Sequence, residues 1–155
     1  MIKAKAAKNM FLAYETNLKE FREHIIKVGL PEKVGGKQHS DSGLTVAQIG
    51  AVHEFGVPEK GIPKRSFIRE PIINEQKKIN NFIKTRFSEV ANNSMTSKTA
   101  LAQIGQLGMD ICKKAFRKND WVANSKKTVE LKGSSSPLID SGELSQSITY
   151  IVEKA

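Results

Sequence analysis

Apolar residues return every three or four positions over several long stretches, and those stretches are separated by runs of glycine, proline and charge. Over residues 7–23 the stripe Ala7, Phe11, Tyr14, Leu18 and Phe21 predicts an amphipathic helix with one buried face. Residues 25–30 are rich in β-branched side chains and stopped by Pro31, which reads as a short strand. The following Gly-, Ser- and Lys-rich run has no period and predicts an exposed, mobile loop over about 32–44. Thr45 and Gln48 match a capping box and place a helix from Val46 to about Glu54. Gly56, Pro58, Gly61 and Pro63 then break regular structure over 56–65, leaving an extended arm that carries Lys60, Lys64 and Arg65.

Ser66 is a cap and Pro71 is tolerable in a first turn, so Ile72, Ile79, Phe82, Ile83, Phe87 and Val90 mark one long helix to about Ala91. Thr96 and Ser97 cap another, with Leu101, Ile104, Gly108, Ile111 and Ala115 along one stripe. Glycine inside a helix costs about 1 kcal/mol against alanine, so Gly105 and Gly108 imply close approach by another element; a helix-turn-helix break at Gly105 is the alternative. A polar connection over about 120–136 contains a strand candidate at 128–132 and a flexible tip at 133–136. Asp140 with Glu143 forms a carboxylate variant of the capping box for a short helix, and 147–152 reads as a closing strand. These elements amount to one α+β domain over 1–155. Its small, mostly antiparallel sheet comes from the segments near Ile25, Thr128 and Ser147 and packs against several helices, with long mobile loops between them.

Composition narrows the classes. The 155 residues carry 25 Lys and Arg against 16 Asp and Glu, a formal charge of +9, and 39% hydrophobic residues are enough for one core. No apolar run approaches the roughly 20 residues needed to cross a bilayer, and no secretion signal is visible at the basic start. The single cysteine, Cys112, lies in a buried helical stripe, which suits a reducing compartment. Positive charge favours contact with nucleic acid, anionic lipid or an acidic protein face. One patch stands out: Lys113, Lys114, Arg117 and Lys118 close a helix, and Lys126, Lys127 and Lys132 follow. It reads either as a solvated helix end, where cations complement the negative end of the helix dipole, or as a nucleic-acid surface.

Catalytic chemistry finds no pattern. His53-Glu54 begins like a zinc-protease helix, but position 57 is Val, and His24, His39 and His53 lack ligand spacing. Gly35-Gly36-Lys37 lacks both the leading glycine and the trailing hydroxyl of a phosphate loop, and Ser141-Gly142 lacks the flanks of a nucleophile elbow. The expectation is a protein that is not an enzyme and needs no metal or cofactor.

Two segments resemble a known family. Residues 47–56, Ala-Gln-Ile-Gly-Ala-Val-His-Glu-Phe-Gly, are followed by Ile62-Pro63-Lys64-Arg65-Ser66-Phe67-Ile68-Arg69. This is similar to the "A-I-x-x-x-H-E-F-G … I-P-x-R-P-F-x-R" block of tailed-bacteriophage virion-morphogenesis proteins of the Mu type. Lys126-Lys127-Thr128 through Lys132-Gly133, then Pro137-Leu138-Ile139-Asp140-Ser141-Gly142-Glu143-Leu144 to Tyr150, resembles that family's "T-x-x-x-K-G … P-L-x-D-T-G-x-L-x-x-S-I-x-Y" ending. Ser66 stands in place of the usual second proline, and Ser141 in place of threonine.

The resemblance implies a structural virion protein of a long-tailed phage or prophage, assembled in the bacterial cytoplasm, that completes the tail or joins tail to head at the neck. Its implied partners are copies of itself in a ring and tail-tube, tail-terminator or head-tail connector proteins, with packaged DNA met non-specifically and no membrane. Phe55, Gly56, Pro63, Arg65, Phe67 and Arg69 are then the candidate interface arm, unless that loop folds back on its own domain. His53, Glu54, Pro137, Leu138, Asp140, Ser141, Gly142 and Leu144 are candidate structural motif residues. A basic nucleic-acid-binding module is the alternative function.

Overall fold

A computed structural model describes residues 2–38, 43–118, 120–123, 129–130, 138 and 142–155, with the side chains of 2–7 excepted. The elements run α1 (Ile2–Glu23), β1 (His24–Gly29), α2 (Glu32–Gly35), α3 (Val46–Phe55), α4 (Arg69–Asn74), α5 (Gln76–Ala91), α6 (Ser97–Lys118), α7 (Glu143–Ser147) and β2 (Thr149–Lys154). β1 and β2 pair antiparallel, from His24 opposite Lys154 to Gly29 opposite Thr149, and this ribbon packs with the helices in an α+β fold.

The 22-residue α6 is the axis on which the rest assembles, and its two glycines explain how. A Cβ built on Gly105 would lie 2.2 Å from the Tyr150 ring, and one on Gly108 would lie 2.8 Å from Val28. Val28 and Tyr150 are register partners across the ribbon. Residues three apart share a helix face, so the two glycines form a flat seat, one turn long, for that cross-strand pair. The close approach expected of these glycines is therefore present. The helix runs unbroken from 97 to 118, which removes the helix-turn-helix alternative.

Val46, Phe67, Cys112, Phe116, Leu144 and Ile148 form the main buried cluster. Phe116 stands edge-on to Phe67 at 5.1 Å and to Trp121 at 5.5 Å, geometries that aromatic quadrupoles favour. Cys112 is fully buried there, and burial, with Glu54's negative charge behind it, pushes its thiol up to about 12, so it is an inert core residue. At the other end of α6, Asn17 of α1 accepts from the Ser97 amide at 2.6 Å and donates to Met95 O at 3.0 Å. That amide is one of the orphan donors every helix start must satisfy, so α1 caps α6 as well as packing on it.

Several expectations change. The segment 32–38 is not an irregular loop: α2 forms, Gly35 is buried, and Gln38 bridges Thr45. The Thr45–Gln48 capping box is present in full. The helix expected to run to Ala91 is two, broken at Glu75, whose ψ of 11° interrupts the helical path. The strand candidate at 128–132 is not formed at Val129 and Glu130, which are helical; its other residues lie outside the described set, so the sheet has two strands among the described residues. α7 starts from Gly142, in a left-handed conformation with no side-chain cap, and Glu143 is its first residue; Asp140, the other half of the expected box, lies outside the described residues.

Finally, α1 does not bury its whole stripe. Leu18 and Phe21 are half-buried, but Phe11 is 59% exposed. The helix extends past its attachment at Asn17, and Met10 and Phe11 there are exposed.

Candidate functional site

The 56–65 segment is not an extended arm. Val57 and Ile62 exchange backbone hydrogen bonds of 2.9 and 3.1 Å, with a 3-10 turn at Pro58–Lys60 and a left-handed Gly61 between them. Gly56 turns the chain at φ 74°, and a Cβ there would sit 2.8 Å from Lys64 N, so only glycine lets the two limbs approach. Arg65 N then donates to His53 O at 2.7 Å and returns the chain to the end of α3. The loop folds back on its own domain, which was the other reading of this stretch.

The centre of this arrangement is Glu54, only 6% exposed. Its Oε1 accepts from Ser66 Oγ at 2.6 Å and Arg69 N at 3.0 Å, and its Oε2 from Phe67 N at 2.8 Å and Ile68 N at 3.0 Å. The Ile68 and Arg69 amides are free donors at the start of α4 and the Phe67 amide lies just before it, so the carboxylate also meets the positive end of the helix dipole. Four donors fill the four acceptor positions of the carboxylate. The burial cost of the charge is offset inside the chain, and no lone pair is left for a substrate proton. The N-cap residue is Ile68 and not the expected Ser66, but Ser66 Oγ, two residues earlier, accepts from Glu70 N at 3.0 Å and so satisfies one first-turn amide beside those held by Glu54.

Around Glu54 the named residues divide. Phe67 is fully buried in the core. Arg65, 6% exposed, donates from Nε to Val122 O at 3.1 Å and from Nη2 to Ala123 O at 3.4 Å, holding the chain just after α6. Its burial lowers the guanidinium pKa by desolvation. Neither residue is free to reach a neighbour. Phe55, at 61% exposure, and Arg69 face outward, with the guanidinium 4.8 Å over the ring. Ile73, one turn beyond Arg69, extends this outer patch at 57% exposure. Pro63 is half-buried at the loop's return.

The two resembling blocks meet in space. A Cβ on Gly50 would contact Leu144 Cδ1 at 3.4 Å and Phe67 Cζ at 3.5 Å, and Leu144 and Ile148 share the main core cluster with Phe67. Leu138 packs against that cluster. Gly142 O accepts from Ser145 Oγ at 2.9 Å and Gln146 N at 3.0 Å. Pro137, Asp140 and Ser141 lie outside the described residues.

The basic patch is only partly visible. Lys114, Arg117 and Lys118 are exposed and Lys113 is half-buried at the end of α6; Lys126, Lys127 and Lys132 lie outside the described residues. Lys118 pairs with Asp120 at 2.5 Å, and that hydrogen bond, with the attraction behind it, raises the lysine's pKa. The adjoining groove of about 460 Å³ sets Lys78, Lys114, Arg117 and Lys118 against Glu70, Glu75, Asp110 and Asp120. Such mixed charge is not the single-sign track a phosphate backbone selects.

Sequence reasoning missed the Asn17–Ser97 attachment and a second groove, of about 770 Å³, between α1 and α5, lined by Phe11, Tyr14, Leu18, Phe21 and Phe87. Its signal lies in the two apolar stripes that carry Phe11 and Phe87, of which these members are 59% and 50% exposed. Among the described residues, no group of three His, Cys, Asp or Glu is placed to hold a metal ion, and no helix is long and apolar enough to cross a membrane. No family model, curated protein or solved structure matches this chain.

Proposed function

We propose that this chain is a structural virion protein of a long-tailed phage or prophage that completes the tail or joins tail to head, acting by association of copies in a ring. The observation that carries the reading is the Glu54 junction. The glutamate of His-Glu-Phe-Gly binds, through both oxygens, the four consecutive residues Ser66 to Arg69 that end the resembling block. These residues are thus tied to one another and to the core, as motif residues of a scaffold are, while Phe55 and Arg69 remain on the surface. A ring needs heterologous contact between two different surfaces of one subunit, and the exposed Phe55–Ile73 patch offers one of them. Binding energy replaces catalysis in this role. Its partners are further copies of the chain and tail-tube, terminator or connector proteins.

The test is electron microscopy of particles made when the gene is inactivated in its parent phage or prophage. Filled heads separated from tails, or tails with abnormal ends or length, are expected. Normal infectious virions overturn the reading. The exposed cations at the end of α6 support a second reading, a nucleic-acid-binding module. Sequence-selective DNA binding that weakens steeply with salt favours it; salt-sensitive binding without selectivity fits incidental contact with packaged DNA.

A further inference from the structure

We infer that the exposed stripe of α1 is the contact through which two copies of this chain pair, antiparallel, helix against helix. The inference rests on the α1 surface alone and is independent of the virion reading. α1 is held at Asn17, and ahead of that residue Met10 is 66% and Phe11 59% exposed, with Tyr14 half-buried. Phe11 and Tyr14 lie on the rim of the open groove, which continues through Leu18 and Phe21 to Phe87 of α5. Exposed apolar side chains gathered along one groove, rather than scattered singly, mark a candidate interaction face.

Charge along the helix selects the occupant. Before Glu15 the chain carries Lys3, Lys5 and Lys8 and no acid; from Glu15 onward three acids, Glu15, Glu20 and Glu23, stand against two bases, Lys19 and Arg22. A helix strongly positive at one end and weakly negative at the other is complementary to its own reverse. With Phe11 set opposite the second copy's Tyr14, the two-fold axis repeats that contact, and Lys8 comes beside the other copy's Glu15, again twice. Both residues are exposed on the free chain. The α1 stripe, with residues three and four apart, is the pattern that packs against a like helix.

The experiment is sedimentation equilibrium on the full chain from micromolar to submillimolar concentration, with circular dichroism on every variant. A reversible dimer is expected. Phe11→Asp removes it while leaving helicity unchanged, because the ring is already largely in water. Lys8→Glu and Glu15→Lys each weaken it roughly tenfold, since two symmetric attractions become repulsions, and the Lys8→Glu/Glu15→Lys double variant restores it. A monomer across the whole range overturns the proposal, as does a double variant no stronger than either single one. Sedimentation with vesicles of phosphatidylglycerol and phosphatidylcholine supplies a further check. Phe11-dependent vesicle binding by a chain that stays monomeric also overturns the proposal, and assigns the stripe to an anionic membrane surface.

Discussion

Glu54 and Phe11 stand in each other's natural places: a carboxylate 6% exposed and a phenyl ring 59% exposed. Both carry a free-energy cost, and the costs are handled differently. Glu54 is met within the chain by one hydroxyl and three amides, so its site is closed. Phe11 forgoes much of the roughly 1.5–3 kcal/mol that burying such a ring contributes, and its groove is open. A closed inversion builds the fold; an open one is available to a partner. Residues in the resembling blocks can be sorted the same way, with Glu54, Arg65 and Phe67 inside and Phe55 and Arg69 outside.

The largest effect comes from breaking the closed side. Glu54→Gln keeps the shape but turns an amide NH2 toward donors already facing the site, at a cost of about 3 kcal/mol out of the ~5–15 that hold a domain together. The urea midpoint should fall accordingly, and amides among 67–69 should exchange with solvent faster, because one of their two acceptor oxygens is replaced by a donor. Midpoint and exchange both unchanged would mean that the carboxylate does not organise the start of α4.

Next is the seat of the ribbon. Gly105→Ala gains about 1 kcal/mol of helix propensity, yet it drives a methyl into the Tyr150 ring, so the net expectation is a loss of about 2 kcal/mol. The same change combined with Tyr150→Val should cost less than the sum of the two, which a double-mutant cycle on urea midpoints reads directly. Strict additivity would remove the contact as the reason for the glycine.

Ser66→Ala is expected to cost about 1 kcal/mol, since it deletes one of Glu54's four donors and the acceptor for Glu70 N, both measured by the shift in urea midpoint. Smaller near neutrality is the contribution of Cys112. Its thiol is raised from 9.0 to about 12 by burial and then by Glu54, so the folded state keeps a proton that the unfolded state releases. This contribution is complete below pH 9 and is lost as pH rises from 9 toward 12. Urea midpoints taken at pH 8 and pH 10 should fall more in the wild type than in Cys112→Ala.

Period and punctuation made most helices legible. The Thr45–Gln48 box, the stripe of α6 and the demand of Gly105 and Gly108 for a close neighbour all rest on local rules that tertiary structure obeyed. Three readings needed information that is not local. The break at Glu75 interrupts an apolar period that continues on either side, so periodicity passes over it. The 56–65 loop is rich in glycine and proline whether it extends or returns, and what returns it is Glu54, a residue that precedes it in a helix. The exposed half of α1 carries the same stripe as its buried half, because a stripe reports that a face needs covering and not what covers it. Glu54 itself is legible in the sequence as a residue of the His-Glu-Phe-Gly motif, while its four donors are visible only in three dimensions.

That last distinction fixes the smallest predicted effect. If the α1 stripe were part of the monomer's core, Phe11→Asp would cost several kcal/mol, as truncation or charging of a buried ring does. Because the ring is 59% exposed and precedes the Asn17 attachment, the substitution should change the urea midpoint of a dilute, monomeric sample by less than about 0.5 kcal/mol. The contrast with Glu54→Gln at the same concentration is the sharpest form of the comparison: the conservative change should be ruinous and the radical one nearly silent. At concentrations where copies pair, Phe11→Asp should lower the midpoint further below wild type, since association adds to apparent stability only in the chain that still associates. A large loss in dilute solution would place Phe11 in the fold after all, and the two inversions would then be of one kind.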